Sequence, residues 1–142
     1  MTSRLTMYLV DTNVISELYR GARGNPGVRA FAVAHMHERF FLSALTVGEL
    51  RRGIELLRYR GNRARAESLQ TWFERVLVGF RERILDVDAE IAQLWACLRV
   101  PHGENALDKL IAATALVYGL TVVTRNERHF VGTGVKVLNP FE

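Results

Sequence analysis

Five short runs rich in β-forming residues, at positions 5–10, 40–42, 84–87, 120–124 and 135–138, are separated by segments whose apolar residues recur at helical spacing. Strands that alternate with helices leave few architectures open. The simplest is an α/β sandwich, a mostly parallel sheet covered by helices. The first run, LTMYLV, is too apolar for a solvated edge and reads as a buried strand. The helical segments cover 14–20, 28–38, 44–59, a long run to 77 that Asn62 precedes, a stretch carrying Ile91, Leu94, Trp95 and Leu98, and 106–118, which is stopped by Gly119. Their expected buried positions include Val28, Phe31 and Ala32, then Leu45, Gly48 and Ile54 or Leu57, then Leu69, Trp72, Phe73 and Val76. Breaks fall at 21–27, 101–104 and 132–134. In open α/β sheets the ligand crevice lies beyond the carboxyl ends of the strands, so residues just after a strand carry the most information.

At 142 residues the chain suits one domain, expected to span 1–142. The lone Cys97, beside Trp95 in a helical pattern, has no internal disulfide partner and no ligand cluster; it is predicted to be a core residue in a reducing compartment. Neither a leader cleavage site nor a membrane-length apolar run is present, so a soluble cytoplasmic protein without membrane contact is expected. The net charge is +4 and the basic residues are 17 Arg and 2 Lys. Arginine suits phosphate and carboxylate partners alike, so charge does not choose between nucleic acid and an acidic protein. The spacings of zinc fingers, basic zippers and aromatic RNA-binding signatures are missing, and this chain is not expected to read DNA bases itself.

Asp11 directly follows the first strand and precedes Thr12 and Asn13. It can cap the next helix, bind a metal, or do both, and Asn13 offers an alternative cap. Glu49 stands in SALTVGELRRG, where Gly48 and Gly53 leave room on the helix surface; alone it would be a solvated acid. Asp108 opens a helix and shares a face with Ile111 and Ala112. A carboxylate over an apolar face is unfavourable unless paired or metal-bound, although a first-turn Asp also suits the helix dipole. Brought together, three carboxylates repel and require a cation. Oxygen donors suit Mg²⁺ or Mn²⁺ rather than Zn²⁺, and such an ion can activate water against a phosphodiester. This convergence predicts that Asp11→Asn removes Mg²⁺ binding and leaves the fold intact.

VDTNVISEL, LSALTVGELRRGI and DKLIAATALVYGLTVVTRNERHF resemble the motifs of PIN-domain ribonucleases, specifically the VapC-like toxins of type II toxin–antitoxin modules and FitB-type proteins. The resemblance runs from residue 8 to the terminal VLNPF, with the three acid-centred motifs in order. It implies a five-stranded mostly parallel sheet in the order 3-2-1-4-5 and a metal-dependent endoribonuclease site. Asp11, Glu49 and Asp108 fall on the family's acids, and Thr12, Asn13 and Thr124 on supporting polar positions. The fourth acid departs: its two expected places hold Asn126 and His129, with Glu127 lying beside them. Asn126 can orient a water but brings no charge. The expectation is therefore one metal ion, or a second that arrives with the substrate phosphate.

The mechanism implied by this resemblance is hydrolysis of RNA by Mg²⁺-activated water. Asp11 and Asp108 are inner ligands, Glu49 holds the metal directly or through water, and Asn126 orients a water. Arg51, Arg52 and Arg125 are the candidate phosphate contacts, each read first as a surface residue or an acid's partner; His129 is a less favoured general acid. The family resemblance further implies a homodimer and a VapB-like antitoxin, assembled as a dimer of heterodimers or larger. The antitoxin's C-terminal segment would lie in a hydrophobic groove with a basic residue near the acids, while its N-terminal part binds operator DNA. Tyr59, Leu69 and Trp72 are read as groove, dimer surface or core. Two alternatives stay open: a weakly or non-catalytic FitB-like partner in an operator-bound complex, and a metal-dependent nuclease acting on DNA. The RNA target and the roles of His35 and His37 are not legible.

Overall fold

The computed structural model describes residues 5–35 and 39–142. In chain order the elements are β1 (Tyr8–Val10), α1 (Thr12–Tyr19), a 3-10 turn (Gly21–Arg23), α2 (Pro26–Ala34), β2 (Phe40–Ser43), α3 (Ala44–Tyr59) and α4 (Arg63–Gly79). They continue with β3 (Ile84–Leu85), α5 (Ala89–Leu98), α6 (Ala106–Tyr118), β4 (Thr121–Val123), a second 3-10 turn (Glu127–Phe130) and β5 (Val137–Leu138). The five strands are parallel and ordered β3-β2-β1-β4-β5. Strand β1 is central, and the chain leaves it toward β2 on one side and later returns to β4 on the other. The switch in direction therefore lies between β1 and β4, where such sheets open a crevice.

The period of two along the strands divides the core into two layers. Tyr8, Val10 and Val123 face a cluster completed by α1 to α4, with Val14, Phe31, Ile54 and Phe73 among its members. Leu9 and Val122 face the opposite layer, where Ile111, Ala112 and Ala115 of α6 meet Phe130 of the second 3-10 turn. The first layer is rich in aromatic rings: Phe31 stacks on Phe40 and meets Tyr8 edge-on. Alanines on α6 bring that helix close to the sheet in the second.

Local chemistry starts and stops the helices where it can satisfy free backbone groups. Ser43, Asn62 and Asp88 accept hydrogen bonds from first-turn amides of α3, α4 and α5. Asn25 Oδ1 accepts from Gly27 and Val28 while Pro26 occupies the first turn, so α2 begins two residues before the expected 28. It ends at Ala34, with His35 extended; the expected continuation through 36–38, His37 included, lies outside the described residues. Gly119 at φ 68° closes α6 in the left-handed conformation that favours glycine.

Four burial expectations are corrected. Cys97 is exposed, because α5 turns Ile91 fully inward and Cys97 falls about 120° round the helix from it. Gly48 is exposed, and Thr46, Leu50 and Ile54 form the buried stripe of α3. Tyr59, at 89% exposure, is no core residue, whereas Leu69 and Trp72 pack on the core margin. Ala32 is only half-buried. No described helix is long and apolar enough to cross a membrane.

Candidate functional site

The carboxyl ends of β1 and β4 position the centre of the site. Asp11 follows β1, its backbone N–H donates to Val123 of β4 at 2.9 Å, and its side chain is buried, 4% exposed. Asp11 Oδ1 accepts from the Thr12 amide at 2.8 Å, which makes it the cap of α1. Asp11 Oδ2 accepts from Thr124 Oγ1 at 2.8 Å and from Asn13 Nδ2 at 3.3 Å. Asp11 is thus the cap, and the alternative of an Asn13 cap is not realised.

Asn13 instead ties β1 to the segment after β4. Its Nδ2 also donates to Thr124 Oγ1 at 3.2 Å, and its Oδ1 accepts from the Arg125 amide at 3.0 Å. The Asn126 amide completes the knot by donating to Thr124 Oγ1 at 3.1 Å. The side chain of Asn126 lies on an exposed residue at the mouth of the crevice.

Glu49 arrives from the second turn of α3 and accepts from Thr12 Oγ1 through Oε1 at 2.8 Å. Thr12 therefore serves two acids, with its amide on Asp11 and its hydroxyl on Glu49. A Cβ at Gly48 or Gly53 would meet nothing within 4 Å, so the surface beside Glu49 is open as expected. Asp108 stands in the first turn of α6, above the buried Ile111 and Ala112. Its Oδ2 lies 2.6 Å from Nδ1 of His129.

Asp11 titrates above the ordinary carboxylate value of 3.8. Burial is the main cause, opposed by the hydrogen bonds from Thr124 and Thr12, and reinforced by the negative charges of Asp108 and Glu49. The three acids thus share one electrostatic environment at the carboxyl edge of the sheet. They do not form a tight cage: among the described residues no group of three His, Cys, Asp or Glu side chains is set to hold a metal. Mutual repulsion without a cation opposes such closure. The donor chemistry fits a hard divalent ion, since the acids present oxygen only and a buried carboxylate beside two others calls for a compensating charge.

The arginines are less convergent. Arg51 pairs with Glu55 on its own helix at 3.3 Å, and Arg125 lies over the Phe141 ring at 5.1 Å. Arg52 is exposed. A cleft of about 290 Å³ leads away from the acids between α1, α3 and α4; Thr12 and Glu49 line its inner end, and Arg20, Leu57, Arg65 and Leu69 its walls. Of the three residues read from sequence as a groove surface, Leu69 lines this cleft and Tyr59 and Trp72 do not; neither the cleft's extent toward Glu49 nor the His129–Asp108 contact was legible in the sequence. The latter joins residues 21 positions apart, for which the only signal was an imidazole where an acid was expected.

The PIN domain family model matches residues 8–134. This chain belongs to the PIN-domain family, in its VapC/FitB toxin branch. Toxin FitB of Neisseria gonorrhoeae is 40% identical over 141 residues, covering 95% of this chain and 99% of that protein. A VapC ribonuclease of Sinorhizobium fredii is 34% identical, covering 96% and 99% respectively. Among solved structures, FitAB bound to a DNA fragment superposes with a TM-score of 0.84 at 37% identity, covering 96% of each chain. The PIN fold, its strand order and the toxin family expected from the motifs are all borne out.

Proposed function

We propose that this PIN-domain chain is the toxin of a type II toxin–antitoxin module and a metal-dependent endoribonuclease that hydrolyses RNA phosphodiester bonds. One observation carries the reading: Thr12 ties Asp11, buried at the switch point, to Glu49, with its amide on the first acid and its hydroxyl on the second, and Asp108 adds its charge to the same crevice. A site that concentrates negative charge in this way is suited to a divalent cation and, through it, to a phosphate. The VapC ribonuclease among its relatives supports the same chemistry.

Asp11, Asp108 and Glu49 would hold Mg²⁺ or Mn²⁺. When bound, the ion would supply Lewis-acid stabilisation of the charge that develops on the phosphate oxygens. The protein's own part is orientation. Thr12, Asn13 and Thr124 keep the Asp11 carboxylate in place, and Thr12 steers Glu49. Asn126 orients water at the mouth, and Arg52 contacts substrate phosphate, with Arg51 and Arg125 doing so after leaving Glu55 and Phe141.

The cleft between α1, α3 and α4 is the proposed seat of the antitoxin's C-terminal segment, its apolar wall formed by Leu57 and Leu69. Operator DNA would be reached through the antitoxin, a reading that the DNA-bound FitAB structure supports. The chain would work as a homodimer in the cytoplasm. Asn126 and His129, standing at the two places where the family carries its fourth acid, favour one second reading, a weakly or non-catalytic FitB-like partner in an operator-bound complex.

The test is cleavage of total cellular RNA by the chain freed of antitoxin, with Mg²⁺ or Mn²⁺, beside Asp108→Asn checked for folding by circular dichroism. Discrete cleavage, lost by about 10³-fold in the folded variant, is expected, since several kcal/mol of transition-state stabilisation would go with the ligand. No cleavage with either ion would favour the regulatory reading. Equal cleavage by both proteins would remove Asp108 from the site.

A further inference from the structure

The second 3-10 turn is not a loose surface loop. Phe130, 3% exposed, is packed in the cluster that contains Ile111 and Ala112, which lie one turn beyond Asp108 on α6. The Thr133 hydroxyl donates to the Phe130 carbonyl, and the His129 amide donates to the Asn126 carbonyl at 3.0 Å. Turn and helix are therefore clamped together through the core, and that clamp sets His129 against Asp108.

The Nδ1 to Oδ2 separation is 2.6 Å, and the His129 side chain remains 44% exposed against 21% for Asp108. An ionised carboxylate only accepts hydrogen bonds, so Nδ1 carries the proton and donates it, whatever the charge of the ring. This bond engages Oδ2 and leaves Asp108 one unencumbered oxygen to offer a cation. His129 adds a donor at this place and no negative charge. Three carboxylates more than neutralise one divalent ion and fall short of neutralising two.

We infer that His129 is a positioning residue that holds Asp108 as a one-oxygen ligand and restricts the acid cluster to a single divalent ion. This rests on the metal-dependent reading above. Hydrogen-bond partners of metal ligands orient them, and their loss weakens metal binding by about 10–100-fold.

The experiment is a Mn²⁺ titration of the full-length chain at fixed pH, with free Mn²⁺ followed by electron paramagnetic resonance and folding checked by circular dichroism. One ion per chain is expected for the wild type. His129→Ala should weaken it by about 10–100-fold. His129→Asn should recover most of the loss, since its amide nitrogen can take the place of Nδ1 as donor, a rescue that a merely space-filling role would not show. His129→Asp, which supplies a fourth carboxylate, should admit a second ion. Unchanged binding in His129→Ala, two ions on the wild type, or one ion on His129→Asp would each overturn the inference while leaving the metal site standing. A wild-type chain that takes no Mn²⁺ would sink the metal-dependent reading itself.

Discussion

Asp11 and Asp108 reach the same crevice by different routes. Asp11 grows from the central strand, is 4% exposed, and is held by three donors from both neighbouring segments. Asp108 stands on a helix, one-fifth exposed, beside a ring that belongs to a turn. The first acid is built into the fold; the second is placed by the fold and tuned by a single neighbour. Changes around Asp11 should therefore register in stability, and changes around Asp108 in binding.

The sharpest test of that contrast is Thr124→Val against His129→Ala. Thr124 is fully buried and its hydroxyl makes three hydrogen bonds, to Asp11, Asn13 and the Asn126 amide. Removing it strands buried groups and should cost about 1–3 kcal/mol in urea unfolding. His129→Ala, at a half-exposed ring, should stay within about 0.5 kcal/mol. Equal losses would erase the distinction between the two acids.

A smaller effect should appear in the pH dependence of melting. Because the folded pKa of Asp11 is raised, the native state binds its proton more tightly than the unfolded chain does. Its contribution to stability is greatest below the unfolded value of 3.8 and is lost as pH rises through the folded value. Asp11→Asn should remove that decline, so the difference between the two melting curves should grow in the variant's favour with rising pH. A difference independent of pH would show that the buried charge costs nothing. The amide also disrupts the acceptor role toward Thr12 and Thr124, which offsets part of the gain.

The smallest effect is a control on buried threonines outside the acid knot. Thr46 Oγ1 is buried and lacks a hydrogen-bond partner among the described residues. Thr46→Val should leave stability unchanged or raise it by about 0.5–1 kcal/mol, read by thermal unfolding. A loss as large as that of Thr124→Val would mean that the hydroxyls around Asp11 are not special.

Helix starts and stops were legible wherever the cue was local. Ser43 before α3, Asn62 before α4 and Gly119 after α6 bond within their own turns, so each boundary is encoded within a few residues. Strand lengths were less legible. Leu5 and Met7 have strand-like chemistry but are exposed, and the ladder of β1 begins only at Tyr8, where Phe40 and Thr121 stand on either side. A strand ends where its neighbours end, which no local composition records. Cys97 failed for a related reason: helical periodicity says which residues share a face, but the packing of α5 on α6 decides how much of the circumference is covered.

The sequence by itself determined the alternation of strands and helices, the placing of Asp11 and Thr124 at strand ends, and the family motifs around Asp11, Glu49 and Asp108, because these depend on patterns read within short windows. Only the tertiary structure decided that Thr12 serves two acids, that Asn13 ties β1 to the segment after β4, and that His129 rather than an acid meets Asp108. Those contacts join residues 37, 111 and 21 positions apart. They exist because parallel pairing of β1 and β4 and the packing of Phe130 under α6 bring distant backbone into register, and hydrogen bonds form only at the distances that packing allows.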